Sequence, residues 1–323
     1  MRTTIHLGIA TVLLIVAMWI SAATGAYPIH LHDLTSLDWD NQALVVFTQL
    51  RLPRIILGAL VGAALAAAGT TYQGCLNNPL ADPYLLGISS GAGLAVTILA
   101  ALGGAGALGA ATPAAFIGAL IAVGLTLIVS RGIGHNTNPA TIILAGVATG
   151  SLFGAAQTYL QQANADTLKS VYSWMLGHLL TSGWNNIALA AAPILISIAI
   201  MSGGGKLLNL LAVGDEEATS LGVNPAHIRA ALLAAATLAT ATAVAHSGLI
   251  GFVGIIIPHA IRRAITTDYR LLIPLSAIYG ATFLVATDVL ARTLLSPAEL
   301  PIGVITAFIG APFFMLLLAR KNT

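Results

Sequence analysis

The sequence predicts an all-α integral membrane protein, a bundle of about ten transmembrane helices with both termini in the cytoplasm. Only 7% of its 323 residues are charged, whereas a soluble domain carries about 25%. Hydrophobic residues make up 57% of the chain, and the mean hydropathy is +0.91. The chain therefore has too little polar surface to cover a globule in water.

Gaps between charged residues locate the spans, because a spanning helix needs about 20 apolar residues to cross about 30 Å of hydrocarbon. The long uncharged run 83–130 is interrupted by glycines at 103–106 and by Pro113, which predicts two spans there. Glycines and Pro258 within 248–258 predict a short, irregular span. The predicted spans are 5–24, 52–71, 83–103, 112–130, 139–160, 186–204, 226–247, 254–265, 271–294 and 302–319.

The basic residues orient this bundle. An even number of spans puts both termini on one side, and that side holds nine of the 13 lysines and arginines: Arg2, Arg131, Lys206, Arg229, Arg262, Arg263, Arg270, Arg320 and Lys321. The other side holds Arg51, Arg54, Lys169 and Arg292. The positive-inside rule makes the terminal side cytoplasmic.

Helix starts support this topology. Asp82-Pro83, Asn138-Pro139 and Asn224-Pro225 each place a capping side chain before a proline at the first helical position. All three begin spans that run outward. At the N-terminus, Arg2, an apolar stretch and Ser21-Ala22-Ala23 also fit a cleavable signal peptide, which would leave nine spans.

Several functional classes have no support. Cys75 is the single cysteine, no cysteine and histidine spacing resembles a metal site, and the basic residues do not cluster as nucleic-acid binding requires. The chain has no GxxxxGK[ST] phosphate loop, so we expect it to bind no cofactor and not to hydrolyse ATP. No catalytic residue is nominated, although an intramembrane enzyme stays open as an alternative.

Polar residues near the membrane suggest functional sites. Asp288 lies in a span, where a carboxylate is by default a candidate for ion coupling, but Arg292 at i+4 favours a structural ion pair. Arg51 and Arg54 lie at the outer mouth of a span and fit either lipid anchoring or, with Arg292, docking of an acidic partner.

Three further patterns indicate how such a bundle works. The inner connection 205–225 contains Asp215-Glu216-Glu217 followed by Ala218, Leu221 and Val223, which predicts a short amphipathic helix suited to a partner's groove. Segments 76–91 and 248–261 break regular helix at membrane depth, as parts of a pathway do. Gly146, Gly150 and Gly154 form a small-residue face typical of close helix packing.

Seven strings spread in order over nearly the whole chain resemble the FecCD-type permeases of bacterial ABC importers, a family that includes permeases for cobalamin, haem and ferric siderophores. They are RLPR at 51–54, NPLADP at 78–83, LLGISSGAG at 85–93, LAGVA at 144–148, GDEEATSLGV at 214–223, GFVGIIIPHAIR at 251–262 and ATDVLARTLLSPAELPIGVITAFIGAP at 286–312.

The resemblance implies one permease domain over 1–323 in the bacterial cytoplasmic (inner) membrane. Its partners would be a second permease copy or paralogue, two ATPase subunits that bind ATP and Mg, and an extracytoplasmic substrate-binding protein, besides membrane lipid and without nucleic acid. Ferric siderophore, haem and cobalamin all stay open as substrates. The rival hypothesis is an ion-coupled secondary transporter that uses Asp288.

The resemblance also assigns residues to roles. The residues expected to contact the binding protein are Arg51, Arg54 and Arg292. The residues expected to couple the chain to the ATPase are Asp215, Glu216, Glu217, Ala218, Leu221, Gly222 and Val223. The cytoplasmic gate regions are Asn77, Asn78, Pro79 and Leu80, with Asn138, Pro139 and Ala140 in the second connection. The fifth span, with Gly146, Gly150 and Gly154, would line the translocation pathway.

Overall fold

A computed structural model describes residues 2–25, 42–133, 139–179, 183–296 and 298–319, and the regular secondary structure in these ranges is helical. The helices are α1 (Arg2–Ala23), α2 (Gln42–Val46), α3 (Leu52–Cys75), α4 (Ile88–Gly103), α5 (Ala111–Ile133), α6 (Pro139–Ala163), α7 (Ala165–Met175), α8 (Trp184–Gly203), α9 (Gly205–Val213), α10 (Asp215–Ser220), α11 (Pro225–Ser247), α12 (Val253–Ala264), α13 (Tyr269–Thr293) and α14 (Ile302–Ala319). A π-helical turn, Phe47–Arg51, joins α2 to α3, and 3₁₀ turns occupy Pro83–Leu86 and Ala105–Ala110.

Every predicted span coincides with a helix. Seven described segments are long and apolar enough to cross a membrane: Ile5–Ala23, Gln42–Cys75, Gly106–Gly132, Pro139–Ala163, Trp184–Gly203, Pro225–Ser247 and Tyr269–Thr293. Helices Ile88–Gly103 and Ile302–Leu316 are apolar but shorter, and α12 has 12 residues. The all-α membrane class is thus confirmed, while ten crossings and cytoplasmic termini stay predictions.

Helices α3, α11 and α13 form the centre of the bundle, and most of their residues are buried. Small residues allow this packing. A Cβ atom at Gly62 of α3 would overlap the carbonyl oxygen of Gly280 on α13, and the converse holds for Gly280. Helices α1 and α6 lie outside this core and expose large apolar side chains such as Trp19 and Leu144, as a surface facing lipid does.

The two segments predicted to interrupt regular helix contact each other. Helix α11 ends at Gly248, and Phe252 adopts a left-handed conformation with φ 69° before α12 begins. The Tyr84 hydroxyl donates to the Ile250 carbonyl oxygen at 2.9 Å and accepts from the Ile250 N–H at 3.0 Å. Gln73 donates to the Gly254 carbonyl oxygen at 3.0 Å. Side chains therefore satisfy backbone groups that the broken helix leaves unpaired.

The predicted caps are present where the structure describes them. The Asn224 side chain accepts from the His227 N–H at 3.2 Å at the start of α11. The Asp82 side chain accepts from the Tyr84 N–H at 2.8 Å, but it caps a 3₁₀ turn, and α4 begins only after Gly87, whose φ is 82°. Asn138 lies outside the described residues.

Candidate functional site

The end of the bundle that is predicted to face outward holds a cluster of three arginines and two carboxylates. Arg54 Nε donates to Asp288 Oδ1 at 3.0 Å, and its two terminal nitrogens bind both oxygens of Glu299 at 3.1 and 2.9 Å. Arg292 Nε donates to Asp288 Oδ2 at 3.0 Å. The Asp288 side chain is 2% exposed and Glu299 is 45% exposed. One buried carboxylate therefore joins two guanidinium groups, and Glu299 covers Arg54 from the surface.

The same cluster binds the C-terminal end of α1. Arg292 donates to the Thr24 carbonyl oxygen at 2.9 Å and to the Ser21 hydroxyl at 2.8 Å. Arg51, which is buried, donates to the Ala22 carbonyl oxygen at 2.9 Å. The last carbonyls of a helix lack partners within it and carry partial negative charge, so cations stabilise them.

The structure thus brings Arg51, Arg54 and Arg292 together, as their proposed common role requires. Each of the three guanidinium groups also forms hydrogen bonds with atoms of this chain. For Arg51 and Arg54 the sequence did not predict such bonds. The i, i+4 ion pair between Asp288 and Arg292 is confirmed. Glu299 was missed, since nothing local marks a residue 245 positions from its partner.

At the opposite end, α10 is anchored to the body by one buried arginine. Arg229 of α11 binds both oxygens of Asp215 at 2.7 and 2.6 Å and donates from Nε to the Cys75 carbonyl oxygen at 2.9 Å. The Arg229 side chain is 4% exposed, whereas Asp215 is 50% exposed. The hydrogen bonds from Arg229 hold the pKa of Asp215 below its usual value.

Helix α10 is shorter than the predicted coupling segment. It ends in a Schellman motif, in which Gly222 has φ 79° and the Val223 N–H donates to the Ala218 carbonyl oxygen at 3.1 Å. Ala218 is buried against the body, whereas Leu221 follows the last residue of the helix and is 65% exposed. Glu216 and Glu217 are exposed.

The first gate region follows directly from α3. Asn77 has φ 46°, a conformation that asparagine tolerates, and donates to the Leu211 carbonyl oxygen of α9 at 3.5 Å. The Asn78 side chain accepts from the Leu80 N–H at 3.0 Å, and Pro79 and Leu80 are exposed. In the second region Ala140 is exposed and Pro139 is half-buried, while Asn138 is outside the described residues.

The three glycines of α6 have different surroundings. A Cβ atom at Gly146 would overlap the carbonyl oxygen of Leu85, at Gly150 it would lie 3.7 Å from Ser90 Oγ, and at Gly154 it would meet nothing within 4 Å. Gly146 therefore serves packing against the 3₁₀ turn, as the small-residue face predicts. Another face of α6 is open, where Val147, Leu152 and Tyr159 are 53%, 60% and 74% exposed.

A sequence profile decides the family. The profile of the FecCD transport family matches residues 13–320. The chain belongs to the FecCD transport family. The cobalamin import system permease protein BtuC of Halobacterium salinarum is 41% identical over 280 residues, 87% of this chain and 75% of the relative. The hemin transport system permease protein HmuU of Yersinia pestis is 39% identical, over 98% and 96% of the two chains.

Solved structures agree with this FecCD assignment. An ABC transporter assigned to the metal-chelate type, in an inward-facing conformation, superposes with a TM-score of 0.87 at 32% identity, covering 97% of this chain and 98% of that one. PsaBC from Streptococcus pneumoniae has a TM-score of 0.57 at 21% identity, over 82% and 90% of the chains, and shows similarity of fold alone. The ion-coupled alternative receives no support, and Asp288 is paired on both sides.

Proposed function

We propose that this chain is the transmembrane permease subunit of an ABC importer that moves a metal chelate into the cytoplasm and is energised by a separate ATPase. The observation that carries the proposal is the whole-chain superposition, at a TM-score of 0.87, on a transporter of the metal-chelate type. The relatives named for cobalamin and hemin transport support cobalamin and haem as candidate substrates, and the family resemblance adds ferric siderophores.

The proposed topology has ten spans and cytoplasmic termini in the cytoplasmic membrane. The seven long apolar segments, the two shorter apolar helices and α12 supply the ten. The charge bias of the connections supports the orientation. It puts α10 in the cytoplasm and the cluster of Arg54, Asp288, Arg292 and Glu299 outside.

The proposed assembly pairs this chain with a second permease copy or a paralogue, two ATPase subunits that bind ATP and Mg, and an extracytoplasmic binding protein. On the outer side, Arg51, Arg54 and Arg292 bring three guanidinium groups to one end of the bundle, beside Asp288 and Glu299. Guanidinium groups bind carboxylates through paired hydrogen bonds, which suits an acidic partner surface. The arginines are also held in fixed positions, which lowers the entropic cost of docking.

On the inner side, α10 and the exposed Leu221 form the proposed ATPase contact, and a series of hydrogen bonds that joins α10 to the end of α3 supports coupling to the proposed gate region. Movement of α10 pulls on Asp215, which binds Arg229 through two hydrogen bonds. Arg229 in turn binds the carbonyl oxygen of Cys75, two residues before Asn77. The bond from Asn77 to α9 adds a second link. A rigid displacement of α10 therefore acts on the end of α3 where the gate begins.

Co-purification from native membranes in mild detergent tests the assembly. We expect mass spectrometry of the tagged chain to recover an ATPase subunit in about one-to-one ratio. In proteoliposomes, uptake should need ATP and should persist with an uncoupler. Transport that continues without ATP and collapses with the uncoupler would contradict the proposal and restore the ion-coupled carrier.

Charge reversal tests the outer docking surface. The double variant Arg51→Glu/Arg54→Glu should weaken capture of the binding protein at least tenfold while the ATPase still co-purifies. Lys169→Glu is the matched control, since Lys169 is an exposed cation predicted on the same side. Undiminished capture by the double variant, or equal loss in the control, would remove the assignment.

A further inference from the structure

A cavity of about 220 Å³ lies mainly between α5 and α11, and Leu86, Ile142 and Arg229 also line it. One wall is Leu120, Val123 and Leu127 of α5, which share a helix face. The other wall includes Ala226, Ala230 and Ala234 of α11, at intervals of four. Because the side chains on α11 are small and those on α5 are branched, a groove is left between the two helices and runs along them.

The length of the groove matches one leaflet of a bilayer. From Leu120 to Arg131, α5 rises about 16 Å, and the hydrocarbon of one leaflet is about 15 Å deep. The polar side chains in the walls are satisfied within the chain: Ser130 donates to the Leu127 carbonyl oxygen at 2.9 Å, and Thr237 bonds the Tyr72 hydroxyl at 2.8 Å. The walls therefore offer an apolar occupant no unpaired polar group.

The end of the groove beside α10 is positive. Arg131 lines it and is exposed, and among the described residues it forms no ion pair. The nearby Arg229 is neutralised by Asp215. Helix α11 begins at Pro225 beside this end, and the positive end of its dipole points toward the same region. An anionic group placed there gains attraction from both sources.

We propose that this groove binds an anionic glycerophospholipid, with one acyl chain between α5 and α11 and its phosphate at Arg131. The positive end suits an anionic group, and the apolar channel behind it is as long as one leaflet. A lipid can occupy both parts, whereas a free anion has no apolar chain to occupy the channel. Basic pockets between membrane helices bind anionic head groups in this way. The inference needs only that the chain spans a membrane and does not depend on the transported substrate.

Native mass spectrometry of the purified full chain tests the site with phosphatidylglycerol and phosphatidylcholine as probes. We expect one phosphatidylglycerol per chain to be retained in preference to phosphatidylcholine. Arg131→Gln should lower retention of phosphatidylglycerol about fivefold and leave phosphatidylcholine unchanged. Arg263→Gln, which removes another exposed arginine, is the charge control and should change neither.

A second pair of variants tests the channel. Ala230→Leu fills the groove and should abolish retention of both lipids, whereas Ala199→Leu on the exposed face of α8 should not. The site would be overturned if Arg131→Gln and Arg263→Gln lowered retention of phosphatidylglycerol equally, or if Ala230→Leu left lipid retention unchanged. Displacement of the lipid by millimolar inorganic phosphate would show a simple anion site, and a lipid-free dimer broken by Ala230→Leu would show an interface. Either would also overturn it.

Discussion

The two ends of the bundle use buried arginines in opposite ways. At the outer end, Asp288 is shared by Arg54 and Arg292, and the cluster also binds the carbonyls of α1. At the inner end, Arg229 binds one carboxylate, Asp215, and one backbone oxygen. The outer cluster joins several segments through shared ionic hydrogen bonds. The inner pair is neutral and joins a short surface helix to the core.

This difference indicates which end of the bundle is rigid and which end can move. A network tied to α1, α3 and α13 cannot shift without breaking several charged hydrogen bonds at once. In the inner pair, Asp215 lies on a helix of six residues that a partner can displace as a unit, while Arg229 lies on α11. We therefore expect the outer end to act as a rigid platform and the inner end as a lever.

The largest effect should come from breaking the lever. Arg229→Gln loses the ionic bonds to Asp215, so displacement of α10 should no longer act on α3 through this contact. ATP-driven uptake in proteoliposomes should fall at least tenfold while the ATPase still co-purifies, since Glu216, Glu217 and Leu221 are unchanged. Arg263→Gln should keep full uptake. Normal uptake by the folded Arg229→Gln variant would show that force passes elsewhere.

Substitutions in the rigid platform should lower the free energy of unfolding. Asp288→Asn removes the buried charge that Arg54 and Arg292 share and should lower the free energy of unfolding by about 3 kcal/mol. Glu299→Gln alters a half-exposed pair and should cost about 1 kcal/mol or less. Denaturant unfolding in mixed micelles measures both. Loss of transport in Asp288→Asn without loss of stability would instead indicate that the carboxylate takes part in transport.

Two glycines of α6, Gly146 and Gly154, test how closely the middle of the bundle is packed. Gly146→Ala places a Cβ atom against the Leu85 carbonyl oxygen and should lower the free energy of unfolding by about 2 kcal/mol. Gly154→Ala enters open space and should be close to neutral. Thermal unfolding of the two variants gives the contrast, and equal stability in both would mean that α6 lies farther from the 3₁₀ turn.

The smallest effect should come from Asp82, beside the first gate region. Burial raises the pKa of Asp82 to about 6. The folded protein therefore holds a proton that the unfolded chain, with a pKa near 4, releases, and this contribution to stability is lost as pH rises through about 6. Asp82→Asn keeps the cap but cannot titrate. Between pH 5 and 7.5, the melting temperature of the parent should fall about 2 °C relative to the variant, and parallel profiles would contradict this.

Local patterns were enough to predict the helices of the ten predicted spans and one ion pair. Charge gaps placed a helix in every predicted span, and the Asn224-Pro225 start and the Asp288 and Arg292 pair are as expected, because both depend on residues at most four positions apart. The π-helical turn at Phe47–Arg51 has no such signature. It lies in the 34-residue segment Gln42–Cys75, and the ten residues before Leu52 are outside the predicted span.

Contacts between distant residues could not be predicted in the same way. Arg229 reaches the Cys75 carbonyl oxygen 154 positions away, and a backbone oxygen leaves no mark in the sequence. The burial of Ala218 depends on how α10 lies against its neighbours and not on its own periodicity. The roles of Gly146 and Gly154 differ because only Gly146 faces the turn that contains Leu85.

The bonds between Arg292 and the end of α1 have a consequence for biosynthesis. The Thr24 carbonyl oxygen and its donor are 268 residues apart. At translation rates of about 5–20 residues per second, the ribosome needs on the order of tens of seconds to reach Arg292 after α1 has emerged. Arg51, which donates to the Ala22 carbonyl oxygen, is made far earlier, only 29 positions after its acceptor. The contacts of α1 with Arg292 are therefore added long after its contact with Arg51.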